Sequence, residues 1–357
     1  MQHEGTFPMA ETTPSPRPLR VLSLRTSPWD DRVANWRPGE GADPFIFSRS
    51  LAAQGVEIRE VDPNRFPLNP LAGRSPLLDG MDPLRALRTL LRERKVDVLL
   101  CSCEGPAWIP LLLRRALRYR PAIVVSDIIL DENWRLRRRV LDTVVPKADG
   151  IILLAREQQR YLAEHWDRRD GVDVILQPID TEFWRAAPPS PDGPILTIGN
   201  DHSRDFQLLL SAFAGIDADL ICKTKRIPPS QPLPPRVTLR PEQISEVALR
   251  ELYAQSRFVI VPLIPSLNAG GVNSIMEAAA SGRAAIVSDN PAIRDYLRHE
   301  ETCLVVPCGD EGAMRQAIQR LLAEPETCER LGANARRLAE RISAEAPARF
   351  AAALRRA

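Results

Sequence analysis

In NAGGVNSIMEAAASGRAAIVSD, residues 268–289, one carboxylate, Glu277, stands in the interior behind a pair of glycines. The apolar spacing reads as loop, then helix, then strand. Gly270 and Gly271 let the main chain approach a ligand closely, because no Cβ intervenes. A helix start exposes unpaired N–H groups and partial positive charge, which favour an anion. Glu277 lies about one turn further in, and its carboxylate can accept two hydroxyls at once. A phosphate at the helix start with a diol beside the acid is how a nucleotide sits. The same residues also fit an ordinary Gly-rich α/β turn with a surface Glu.

Strand and helix patterns alternate through the rest of the chain. RVLSL, VEIREVD, VDVLLCSC, PAIVVSD and DGIILLA read as strands. Between them PFIFSRSLAAQG, PLRALRTLLRERK, PAWIPLLLRRALRYR and WRLRRRVLDTVVPKA read as helices. REQQRYLAEHW is a further helix, and VDVILQPID closes this half. Such repetition gives a mainly parallel sheet covered by helices on both faces, the doubly wound α/β class. AAPPSPDGP, residues 186–194, is rich in Pro and reads as the linker. A second series follows: ILTIGN, ADLICKTK, VTLRP, RFVIVPL and AAIVSD as strands, with helices between and a helical tail from Gly312. The predicted plan is a flexible tail over 1–18, one Rossmann-like domain over 19–185 and a second over 195–340. A helix over 341–357 would pack back on the first. Ligands in such sheets bind at the carboxyl ends of the strands, here in a cleft between two domains.

Composition excludes several classes. The formal net charge of +2 gives no reason to expect nucleic acid. The six cysteines form no CxxC pair and His is scarce, so neither a zinc site nor a disulfide framework is expected. No signal-peptide core or membrane-length apolar run is present, and the expected location is cytoplasmic. The Arg-rich segments 111–120 and 134–139 could meet anionic lipid at a membrane periphery, or form solvated helix faces.

The segment LYAQSRFVIVPLIPSLNAGGVNSIMEAAASGRAAIVSDNPAIRDYL resembles the donor-site signature of retaining glycosyltransferases of GT-B fold, family 4. The resemblance extends to ILTIGNDHSRDFQLLLSAF, to ADGIILLAREQQRYLAEHW with VDVILQPIDTEFWR, and to LLAEPETCERLGANARRLAE. It spans most of residues 140–340. In that family the second Glu of an E-x7-E motif holds the ribose hydroxyls of a sugar nucleotide, a role that falls on Glu277. The first Glu of the motif is replaced by Ala269. The resemblance implies that Gly270, Gly271, Val272 and Asn273 offer main-chain N–H groups to sugar and diphosphate. It asks for an Arg and a Lys at the diphosphate, met by Arg204 and by Lys225 of the Lys223/Lys225 pair, with Asn200 orienting a phosphate oxygen.

The family often supplies a first-domain His to the donor sugar; His3 and His165 do not fit that place. Glu104 and Asp127 follow apolar strands and are expected to face the cleft, as sugar or acceptor contacts or as helix caps. Trp29, Trp36, Trp108 and Trp134 follow strands too and could stack on an acceptor or anchor the core.

The implied reaction transfers a sugar from a nucleoside diphosphate, UDP or GDP, to the hydroxyl of a glycan, lipid-linked or small-molecule acceptor. Configuration is retained, and neither a metal nor a further cofactor is expected. The alternatives are a non-catalytic sugar-nucleotide-binding protein, which Ala269 favours, and a related sugar-nucleotide epimerase, which the missing His disfavours.

Overall fold

The computed structural model describes residues 17–26, 37, 39–43, 46–60, 81–130, 135–188 and 190–357. The first lobe holds β1 (Leu19–Leu24), α1 (Ile46–Ala52), β2 (Val56–Glu60), α2 (Pro83–Arg92), β3 (Val98–Cys101) and α3 (Glu104–Leu113). It continues with β4 (Ala122–Ser126), α4 (Arg135–Lys147), β5 (Gly150–Leu153), α5 (Arg156–Trp166) and β6 (Val172–Val174). Its six strands are parallel in the order β2-β1-β3-β4-β5-β6. Successive strand residues point to opposite faces, and both faces are covered. Leu22, Leu99, Ile123 and Ile151 pack under α2 to α5. Val21, Val98, Val124 and Ile152 pack under Leu51 of α1 on the other face.

The second lobe contains β7 (Ile195–Ile198), α6 (Phe206–Phe213), β8 (Leu220–Lys223), β9 (Val237–Leu239), α7 (Glu246–Gln255) and β10 (Val259–Val261). Then come α8 (Val272–Ala280), β11 (Ala285–Ser288), a 3-10 turn (Pro291–Tyr296), β12 (Leu304–Val306), α9 (Glu311–Ala323) and α10 (Pro325–Arg356). The second sheet is also six-stranded and parallel, in the order β12-β11-β10-β7-β8-β9. Two Rossmann-like lobes are therefore present, as the alternation of patterns predicted.

Several boundaries differ from that reading. α3 stops at Leu113, short of the expected end at Arg120, because Arg118 turns left-handed (φ 49°) and Tyr119 N–H closes on the Arg114 carbonyl. β12 and the 3-10 turn were not anticipated. No break separates residues 340 and 341: α10 runs for 32 residues, packing Ala335 and Ala339 on the second lobe, then Phe350 and Leu354 on the first. Gly332 lets α10 lie against the Gly282 carbonyl, a place no Cβ could occupy. Phe183 and Trp184 already sit in the second lobe's core, so the chain crosses ahead of the 186–194 segment taken as the linker.

Candidate functional site

In the second sheet, β8 and β10 flank β7 on opposite sides, so the strand order reverses at β7. The loops that leave β7 and β10 open a crevice at that switch point, the usual ligand position in such sheets. The two loops are tied together. Asp205 N–H donates to the Pro262 carbonyl at 3.0 Å, and Ile264 N–H to the Ser203 carbonyl at 2.8 Å. Gly270 sits against Ser203, and a Cβ there would overlap the Ser203 hydroxyl. Loop-to-loop packing thus already requires this glycine, whatever ligand lies above. Gly271 is the N-cap of α8 with φ 86°, a left-handed conformation suited to glycine.

The amides of Gly271, Asn273 and Ser274 donate to no group among the described residues. The Val272 N–H instead turns back to the Ala269 carbonyl at 3.3 Å, and its side chain is buried in the core. Of the four positions expected to offer amides, Val272 is therefore spoken for, and so is Gly270, whose N–H meets the Asn268 carbonyl at 2.7 Å.

Glu277 is half-buried on α8, one turn in from those amides. Its Oε2 accepts from the Tyr253 hydroxyl at 2.8 Å. Tyr253 comes from α7 and is fully buried. Burial, and then the neighbouring Glu277 charge, push its hydroxyl pKa well above the ordinary value, so it stays a donor. Arg204 lies beneath the same helix start. Its Nε donates to Asp201 at 2.7 Å and its Nη2 to the Ser274 hydroxyl at 2.8 Å, while Nη1 is buried without a partner. The guanidinium rests on Gly199 (φ 144°), where a Cβ would overlap it. Burial alone would raise the Asp201 carboxyl, but the Arg204 charge and the Ser203 hydroxyl outweigh it and hold it below the usual range.

Asn200 and Lys225 meet at the next strand end. The Asn200 Oδ1 accepts from the Lys225 main-chain N–H at 2.7 Å, which leaves the Lys225 side chain exposed. Asn200 thus braces the loop through its carbonyl oxygen. Lys223 does not share Lys225's exposure. β8 ends at Lys223, whose ammonium is buried on the Arg240 and Glu242 carbonyls. Ala269, where the family motif places an acid, packs against the second lobe's apolar core.

Across the crevice, the Asn268 side chain clasps Leu130 of the first lobe: Oδ1 accepts from its N–H at 2.7 Å and Nδ2 donates to its carbonyl at 3.0 Å. Gln177 Nε2 likewise donates to Asn273 Oδ1 at 2.6 Å. Glu104 is not a cleft residue. It is fully buried, 3.3 Å from Arg137 of α4, and accepts from Ile129 N–H at 3.2 Å. Burial raises its carboxyl pKa despite Arg137. Glu104 therefore supports the loop that carries Leu130. Arg137, central to the 134–139 Arg run, is removed from the surface by the same pair.

Asp127 is half-buried with φ 67°, a strained conformation for a non-glycine residue. Its carboxylate accepts from Gln158, and burial raises its pKa. Trp108 is half-buried and packs on the first lobe's core, as the anchoring alternative expected. Trp29, Trp36 and Trp134 lie outside the described residues. All six cysteines are free, and no metal-binding cluster occurs among the described residues.

Both lobes match known family models. Residues 194–324 match the model described as Glycosyl transferases group 1, and residues 34–183 the one described as Glycosyltransferase Family 4. Each lobe thus resembles a glycosyltransferase domain, and the two lobes take the GT-B arrangement. Its fold is similar to sucrose-phosphate synthase from Thermosynechococcus elongatus, with a TM-score of 0.72 at 19% identity over 93% of this chain and 96% of that one. It is also similar to Anabaena Alr3699/HepE in complex with UDP-glucose, with a TM-score of 0.67 at 12% identity over 94% and 98%. Among curated proteins, EpsD of Bacillus subtilis (strain 168) is 31% identical over 83 residues, 23% of this chain and 22% of that protein.

Sequence reasoning overlooked four residues of this GT-B crevice: Tyr253, Ser274, Asn268 and Asp201. Ser274 and Asn268 flank the glycines within the stretch already singled out. Tyr253 lies 24 positions before Glu277 on another helix, and only the packing of α7 on α8 joins them.

Proposed function

We propose that the chain transfers a sugar from a nucleoside diphosphate sugar to an acceptor hydroxyl, with UDP or GDP as the leaving group. The carrying observation is Glu277, fixed by Tyr253 one turn inside a helix whose first amides open on the switch-point crevice. In this reading Glu277 accepts the two ribose hydroxyls. The Gly271, Asn273 and Ser274 amides, the unmatched Arg204 Nη1 and the exposed Lys225 ammonium face the diphosphate. Relatives of similar fold crystallised with UDP and UDP-glucose agree with this choice of ligand.

The chemistry asked of the protein is positioning and charge stabilisation. The bond from the anomeric carbon to the β-phosphate oxygen breaks, and the acceptor oxygen bonds to that carbon from the same face. The acceptor's proton passes to the departing phosphate, so configuration is retained. No protein nucleophile or metal enters this scheme. In this reading Glu104, buried on Arg137, takes no part, and Asp127 at the cleft edge of β4 meets the sugar or the acceptor.

Titration calorimetry with UDP and GDP tests the site. Glu277→Ala should lose about 3 kcal/mol, roughly a hundredfold in affinity, by removing two charge-assisted hydrogen bonds. Unchanged binding would refute the assignment. A second reading, a sugar-nucleotide binder without turnover, draws on the apolar setting of Ala269. Release of free nucleotide from a panel of UDP-, GDP- and dTDP-sugars, with varied acceptors, separates the two.

A further inference from the structure

Among the described residues, five large apolar side chains are exposed, and four of them lie on neighbouring helices of the first lobe. Leu84, Leu87 and Leu91 are 46%, 37% and 50% exposed on α2, and Leu112 is 46% exposed on α3. Spacings of three and four place the α2 leucines in one stripe. The opposite face of α2 buries Ala86, Thr89 and Leu90, so folding does not require the stripe. The two helix ends are joined: Arg94 donates to the Leu117 carbonyl at 2.8 Å, and the Tyr119 hydroxyl to the Glu93 carbonyl at 3.1 Å.

Cations surround this corner. Arg92 and Lys95 are exposed at the end of α2, Arg115, Arg118 and Arg120 after α3, and Lys147 at the end of α4. Between α3 and α4, Arg115, Arg118, Arg120 and Lys147 border a basin of about 750 Å³ in which Leu112 is a wall residue. The nearby acids are already matched. Asp149 is held by Arg114 at 2.6 Å and by the Ile123 N–H at 2.7 Å, and Glu93 by Arg59. The face therefore offers apolar side chains beside a surplus of positive charge.

We propose that this face docks on an anionic lipid bilayer. Leu84, Leu87, Leu91 and Leu112 enter the headgroup–acyl boundary, and the basin's cations hold lipid phosphates. A nucleic acid would engage the cations but give the leucine stripe nothing to bury against. A second copy of the chain would bring like charges together. The basin lies where α3 and α4 end, at the amino-terminal edge of the sheet, so docking here leaves the crevice at the opposite strand ends uncovered.

The test is flotation of the full chain with phosphatidylcholine vesicles, with and without roughly one-third phosphatidylglycerol. The wild type should float with the acidic vesicles alone, and less so as salt rises. Leu87→Ser with Leu91→Ser should lower partitioning at least tenfold. Arg115→Gln, Arg120→Gln and Lys147→Gln together should lower it by about fivefold per charge. This exposed triple keeps the test valid if the serine pair misfolds. UDP binding by the variants should match wild type, so the outcome is separable from the Glu277 assignment. The proposal is overturned by absence of flotation, by variants that float like wild type, or by a dimer in solution that the serine pair dissolves.

Discussion

Tyr253 and Glu277 make the site a matter of orientation as well as charge. The phenol fixes one carboxylate oxygen, and its raised pKa keeps the proton on the phenol side. Tyr253→Phe keeps the ring contact with Trp184 and removes the hydroxyl that bonds Glu277 and Ser274. Nucleotide affinity should fall roughly tenfold, about 1.4 kcal/mol, with little change in melting temperature. Calorimetry together with a thermal melt checks both. Asp201 supplies a pH signature. Its folded pKa is depressed, so its stabilising effect is complete above the ordinary carboxylate range near pH 4 and fades as pH falls through the folded value. Asp201→Asn should flatten the acid limb of a melting-temperature profile. Glu277 was legible from the sequence because Gly-Gly and helical spacing are local signals. Tyr253 was not, since its role depends on two helices docking.

At the level of elements, α3 and α4 share a buried ion pair. Glu104→Gln would remove the carboxylate paired with Arg137 and should cost about 3 kcal/mol. Glu104→Leu with Arg137→Met should recover much of that loss, as urea unfolding of the double-mutant cycle would show. Near-additive costs would mean that the two charges are not coupled. The same pair explains a misreading. An acid after an apolar strand looks cleft-facing, but a partner 33 residues later draws it inward. β12 was missed for a different reason: LVV is too short to alternate, and its pairing with β11 is what makes it a strand. Long amphipathic helices and four- to six-residue apolar strands were legible, since burial and local periodicity agree there.

At the scale of the molecule, the contacts that join the lobes among the described residues include the Asn268–Leu130 clasp, the Gln177–Asn273 bond and the Arg156 N–H on the Asp295 carboxylate. Asn268→Ala removes two hydrogen bonds worth about 1 kcal/mol each. Exchange of the Leu130 amide with deuterium should then accelerate by tenfold or more, and an unaltered rate would show that other contacts keep the lobes closed. The doubly wound architecture of each half followed from alternating patterns, but the span of α10 did not, because nothing local in a helix says which of two sheets it covers. That span bears on biosynthesis. A ribosome releases β1 through β6 long before residues 346–354, which later cover Val21, Val98 and Val124. Throughout translation of the second half, that side of the earlier-made sheet has α1 as cover but lacks α10 and stays partly open to wrong partners, so the half made first is the last to be finished.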